Sequence, residues 1–188
     1  MDSYIEITVK PDAEFTVPTL MNVVFEKLHH AFVKVANKDV GISFPMVTPE
    51  SKTMGRVLRL HGTRSHLERL ESTNWLQGMM DYTESSKILS TPQHTQCCQV
   101  RRIQVKSNAD RLRRRFIKRH PNASIDTIDA LFDKSKEKQS KLPFLRIKSS
   151  SSQQQFRLFI EHLPAQEKQI KGEFNAYGLS SGATVPWF

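Results

Sequence analysis

Nine lysines and arginines stand within twenty residues of this chain, Arg101 to His120, and they mark the place where it is equipped to meet a polyanion. Arg101, Arg102, Lys106, Arg111, Arg113, Arg114, Arg115, Lys118 and Arg119 face Asp110 alone, so the window carries +8 of a formal net charge of +9. Charge this concentrated implies either a partner with closely spaced negative charge or a solvated arm. The pattern inside the window favours the partner. Ala109, Leu112 and Phe116 recur at helical spacing as one apolar stripe. Ser107 and Asp110 suit a helix start, and Pro121 suits a stop. Arg111, Arg114, Arg115 and Lys118 then fall opposite the stripe, with Arg113 and Arg119 on its flanks. A disordered arm has no reason to keep Leu112 and Phe116 in phase. The expectation is a docked helix whose outer face tracks phosphates. A plain solvated face normally mixes signs, and an anionic membrane surface would want an exposed Trp that this stripe lacks.

Other reactive residues are sparse. Cys97 and Cys98 are the only cysteines; adjacent, they are poorly placed to bridge each other and too few for a zinc site. No Gly-rich phosphate loop or paired-His motif is present, so no metal and no cofactor are expected. No apolar run approaches the ~18 residues of a membrane span. The opening MDSYIEITVKPDAE has neither a basic n-region nor an apolar h-region. A reducing cytoplasm is the expected location, with no membrane partner.

The elements that must position these residues follow from periodicity. Ile5, Ile7 and Val9 alternate with Glu6 and Thr8 as in a half-buried strand. Pro18 opens a helix carrying Leu20, Met21, Val24, Phe25, Leu28 and Phe32 on one face. Ile42–Phe44 and Arg56–Gly62 predict two strands. Ser65 with Glu68 predicts a capped helix, whose apolar pattern Trp75, Leu76, Met79 and Met80 extend. Cys98–Val105 predicts a further strand running into the basic helix. The order βαββαβ predicts an α+β chain with an N-terminal ferredoxin-like, RNA-recognition-type domain over 1–94. A smaller C-terminal α+β domain with the arginine-rich helix is expected over 95–188, the boundary falling in Ser85–Gln96. The aromatic sheet motif of base-stacking RNA-recognition domains is missing. Beyond the basic helix, Ser124–Phe132 predicts a short helix. Phe144–Ile147 and Phe156–Ile160 predict strands around the polar run SSSSQQQ (Ser149–Gln155), and the closing aromatics are expected to pack.

Taken in order, PDAEF (Pro11–Phe15), KLH (Lys27–His29), RIQVKSN (Arg102–Asn108), FRLFIEH (Phe156–His162), YGLS (Tyr177–Ser180) and VPWF (Val185–Phe188) make the chain resemble the type I-F CRISPR repeat-processing endoribonuclease family, nearly end to end. The resemblance implies a catalytic role for His29, a ribose-holding role for Ser149 and an aromatic packed beside the histidine at Tyr177. It implies base-edge contacts from Arg102 and Gln104, stacking under the terminal base pair by Phe156, a loop contact from Ser151, and a stem lying along Ser107, Arg111, Arg114, Arg115, Lys118 and Arg119. Lys118 stands where the family pattern has arginine, which removes a forked phosphate contact. The implied partners are a CRISPR repeat RNA hairpin and the other subunits of the type I-F surveillance complex.

The implied chemistry suits the residue types. RNA supplies its own nucleophile, the 2′-hydroxyl, and a neutral imidazole can take that proton near neutral pH. His29 lies just outside the apolar face of its helix, past Phe25, anchored yet able to reach a ligand. Arg102 and Gln104, two apart on one expected strand, share a face; arginine pairs with guanine O6/N7 and glutamine with adenine N6/N7. The expectation is a metal-independent endoribonuclease cutting at the 3′ foot of a repeat hairpin, giving 2′,3′-cyclic phosphate and 5′-hydroxyl ends and retaining its product. The alternative is a non-catalytic structured-RNA-binding protein, in which His29 is an ordinary surface histidine. A sequence-blind DNA-binding protein ranks third.

Overall fold

The computed structural model describes residues 1–104, 109–121, 123–131, 141–148 and 153–188. Its elements run β1 (Ser3–Val9), α1 (Val17–Lys34), β2 (Gly41–Ser43), β3 (Val57–Gly62), α2 (Arg64–Glu71), β4 (Thr83–Ser85), β5 (Leu89–Ser90), β6 (Gln96–Cys98), β7 (Val100–Ile103), α3 (Ala109–Arg119), α4 (Ile125–Leu131), β8 (Phe144–Lys148), β9 (Gln155–His162) and β10 (Val185–Trp187). Among the described residues every strand pairing is antiparallel, and the fold class is α+β.

Contacts gather into two units. The first joins Met1–Ile103 to Leu142–Phe188, and the second is Gln104–Lys141. In the first unit one sheet runs β2-β3-β1-β4, with β5 also pairing β1; a second pairs β10 with β6; a third runs β7-β9-β8. β1 buries Ser3, Ile5, Ile7 and Val9 in strict alternation, as its period of two requires. α1 buries Leu20, Met21, Val24, Phe25, Leu28, Ala31 and Phe32, the expected face with one alanine added. Thr16 caps it, its hydroxyl accepting from the Thr19 N–H at 3.4 Å, and Pro18 occupies the first turn, where no intrahelical donor is lost. α1 also lies on β8, where the Arg146 N–H donates to Asn22 Oδ1 at 2.9 Å. The second unit holds α3 and α4, which touch each other; Ile128 of α4 is buried.

Three sequence expectations are corrected. The strand Cys98–Val105 does not close the first sheet: β1 receives β4 and β5 instead, while β7 pairs with β9 in the third sheet and stops at Ile103. β4 and β5 are short and mostly exposed, so backbone hydrogen bonds hold them without an apolar pattern to announce them. α2 is capped by Thr63 rather than Ser65, its hydroxyl accepting from the His66 N–H. α2 also ends at Glu71. The stretch that follows is a run of turns, in which Met79 is buried and Met80 is 75% exposed.

The closing aromatics do pack. Trp187 lies 5.4 Å from the His162 ring, and Phe188 meets the Arg59 guanidinium at 4.0 Å. Among the described residues no helix is long and apolar enough to cross a membrane.

Candidate active site

Nothing in the run Asn175-Ala176-Tyr177-Gly178 looks reactive, yet it builds the site. The Asn175 carboxamide oxygen accepts from the N–H groups of Tyr177 (2.8 Å) and Leu179 (3.2 Å), and the Gly178 N–H returns to the Asn175 carbonyl at 2.8 Å. This is the local capture of backbone donors that asparagine favours in turns. Gly178 completes it with φ +70°, and a Cβ there would stand 2.6 Å from Ile42 Cγ2. Its carbonyl accepts the Ile42 N–H at 3.0 Å, tying the turn to β2. Glycine is required at this position both for the backbone conformation and for the close approach.

The turn delivers two groups to α1. The Ala176 carbonyl lies 2.7 Å from His29 Nδ1, and the Tyr177 ring stacks on the His29 ring at 4.3 Å and 15°. Tyr177 is in turn nearly parallel to the core residue Phe25, one helical turn before His29, at 6.5 Å and 6°. A carbonyl can only accept, so Nδ1 carries the proton and a neutral ring leaves the Nε2 lone pair open. Among the described residues no hydrogen bond reaches Nε2. His29 is half-buried; one nitrogen is fixed and the other is available for proton transfer.

Arg102 extends the cluster. Its guanidinium lies 6.0 Å from the Tyr177 ring centre and 5.6 Å from that of Phe156. Phe156 on β9 is paired in register with Ile147 on β8, one residue before Lys148, the last described residue ahead of the serine run. His29, Tyr177, Arg102 and Phe156 therefore form one chain of ring and cation contacts.

The other candidates divide differently. Ser107, Ser149 and Ser151 lie outside the described residues. Gln104 is exposed and belongs to the second unit; β7 ends before it, so the strand shared with Arg102 stops one residue short. Arg111 lies on α3. Arg114, Arg115, Lys118 and Arg119 on the same helix are exposed, while Phe116 is half-buried with its ring 4.5 Å from that of His120.

Sequence reasoning passed over two histidines, one buried and one half-buried. His61 is fully buried, its Nε2 2.8 Å from the Ser43 hydroxyl. Burial first, then the Arg59 charge and the N-terminal amine, lower its pKa to about 3. His162 Nε2 accepts the Phe44 N–H at 3.1 Å, and burial lowers its pKa to about 4. Both are held neutral near pH 7, and each makes a structural hydrogen bond. Among the described residues no group of three or more His, Cys, Asp or Glu gathers as a metal-ligand set.

The sequence matches the family model described as CRISPR-associated protein (Cas_Csy4) over residues 4–188. The chain belongs to the Cas_Csy4 family. It is 43% identical over 188 residues, the full length of both chains, to the CRISPR-associated endonuclease Cas6/Csy4 of Escherichia coli (strain UTI89 / UPEC). It is 39% identical, again over the full length of both, to the protein of the same name from Pseudomonas aeruginosa (strain UCBPP-PA14). In this Cas_Csy4 chain the histidine singled out by resemblance is the one whose ring is both stacked and hydrogen-bonded through Nδ1.

Proposed function

We propose that this chain is a metal-independent endoribonuclease that binds a CRISPR repeat hairpin and cuts precursor CRISPR RNA at the 3′ foot of the stem. One observation carries the reading: His29 is stacked on Tyr177 with Nδ1 committed to the Ala176 carbonyl, leaving Nε2 as a base. Nε2 takes the proton of the 2′-hydroxyl beside the cut. The resulting oxygen attacks phosphorus, the bond to the 5′-oxygen breaks, and that oxygen leaves with a proton. The ends are a 2′,3′-cyclic phosphate and a 5′-hydroxyl. Ser149 aligns the ribose and Tyr177 holds the imidazole plane. Arg102 and Gln104 read base edges at the foot of the stem, Phe156 stacks under its last pair, and Ser151 adds a loop contact. The phosphate contacts fall to Ser107, Arg111, Arg114, Arg115, Lys118 and Arg119.

The sheet order β2-β3-β1-β4 supports a ferredoxin-like reading of the N-terminal half. We assign catalysis by His29 to residues 1–94 and RNA binding to residues 95–188. The processed RNA stays bound, and the protein joins the type I-F surveillance complex in the cytoplasm. The test is cleavage of the repeat RNA in excess EDTA, with the ends identified by mass. Cyclic phosphate and 5′-hydroxyl ends are expected, and a 2′-deoxy residue before the cut should block the reaction. Loss of cutting in EDTA, or 5′-phosphate ends, would sink the reading.

A further inference from the structure

Two rings touch His29. Tyr177 stacks on it face to face, whereas the His30 ring stands edge-on to it, at 5.9 Å and 86°. Arg102 and Phe156 lie on the Tyr177 side of this set, and the proposed function gives them to the hairpin. His30 instead lines a groove of about 410 Å³ with Glu26, Lys27, Lys34 and Trp75, and none of Tyr177, Arg102 and Phe156 reaches it. Lys27, His30 and Lys34 follow helical spacing, so one stripe of α1 forms a wall. The opposite wall is the turn after α2. Its Gln77 carbonyl accepts from Lys27 Nζ at 2.9 Å, and its Trp75 is half-buried against the core. The indole is thus a fixed platform, with the exposed Lys34 and His30 nearby.

An immobile aromatic face flanked by cations is how proteins hold single-stranded nucleic acid without reading its sequence. A strand cut at His29 must also leave it in two directions, and the hairpin accounts for only one. We propose that this groove binds the single-stranded RNA immediately downstream of the cut, with a base on Trp75 and a backbone phosphate between Lys34 and His30. The proposal rests on the reading of His29 as the base. Lys27 is already engaged with Gln77 and Glu26 opposes phosphate, so stacking supplies most of the gain and the charge contribution is small.

The test uses two hairpin RNAs, both made uncleavable by a 2′-deoxy residue before the cut. One ends at the cut, and the other continues for several unpaired nucleotides. The extended RNA should bind wild type on the order of tenfold tighter. The ratio of the two affinities should fall towards one in Trp75→Ala and shrink in Lys34→Glu, whose side chain is exposed and can change without disturbing the core. Equal binding of the two RNAs by wild type, or an undiminished ratio in both variants, overturns the proposal. A cleavable hairpin run in parallel separates the failures. Normal cutting with no effect of the extension defeats the groove alone, whereas no cutting by wild type defeats the reading beneath it.

Discussion

The turn at Asn175–Gly178 and the helix α3 solve opposite problems. The turn fixes one imidazole ring through a carbonyl at 2.7 Å, a stacked phenol and a glycine with no room for a methyl group. α3 presents a row of exposed cations on a unit whose described residues bury little beyond Ile128. Proton transfer depends on placement, and a shift of about an ångström can cost about 10²-fold in rate. Phosphate attraction is long-ranged and tolerates a loosely held arginine. Rigidity is concentrated where an atom must be placed, and charge where an atom need only be nearby.

Substitutions should separate the two. His29→Ala has the largest expected effect: single-turnover cleavage falls about 10²–10⁴-fold, while hairpin affinity, measured by filter binding, stays near wild type. A variant that loses both together would mean that His29 is a binding residue. Gly178→Ala tests the turn. The added methyl meets Ile42 and Phe32, and φ +70° disfavours a side chain, so a loss of about 1–3 kcal/mol in stability and on the order of tenfold in rate is expected. Its salt dependence of binding should be unchanged. Arg115→Ala should do the reverse, weakening every hairpin alike and lowering the slope of log affinity against log salt by about one, with the rate of bound RNA preserved.

Acid gives the mildest contrast near neutrality. His61 and His162 are held neutral by burial, so an unfolded chain binds protons below about pH 6.5 that the folded chain refuses until about pH 4 and 3. Their stabilising contribution is complete above pH 6.5 and drains away as pH falls through that window, by at most about 2.7 kcal/mol per pH unit for the pair. Denaturant midpoints taken from pH 7.5 to 5 should show this slope, and His162→Gln should reduce it.

The same contrast governs what could be read from the chain alone. The arginine row is a matter of composition and phase, and both are visible in a string of letters. The apolar face of α1 was equally plain, because Leu20 through Phe32 repeat with the helix. The Ala176 carbonyl was not legible, since every residue carries a carbonyl and only the turn decides which one meets His29. β4 and β5 escaped for a related reason. Thr83–Ser85 and Leu89–Ser90 hold their places on β1 through main-chain pairing, whereas the expected strand from Cys98 onward divides, Cys98 pairing with β10 and Val100–Ile103 with β9.

His29 and the carbonyl that orients it are 147 residues apart in the chain. At ~5–20 residues per second, a ribosome delivers the histidine roughly seven to thirty seconds before its partner. The arginine-rich segment is made within that interval, ahead of the carbonyl that meets the imidazole. On the proposed reading, a growing chain therefore carries its basic segment before it carries the turn that orients its base. On that same reading, the base is oriented only once the turn at Asn175–Gly178 has been made and has folded against α1.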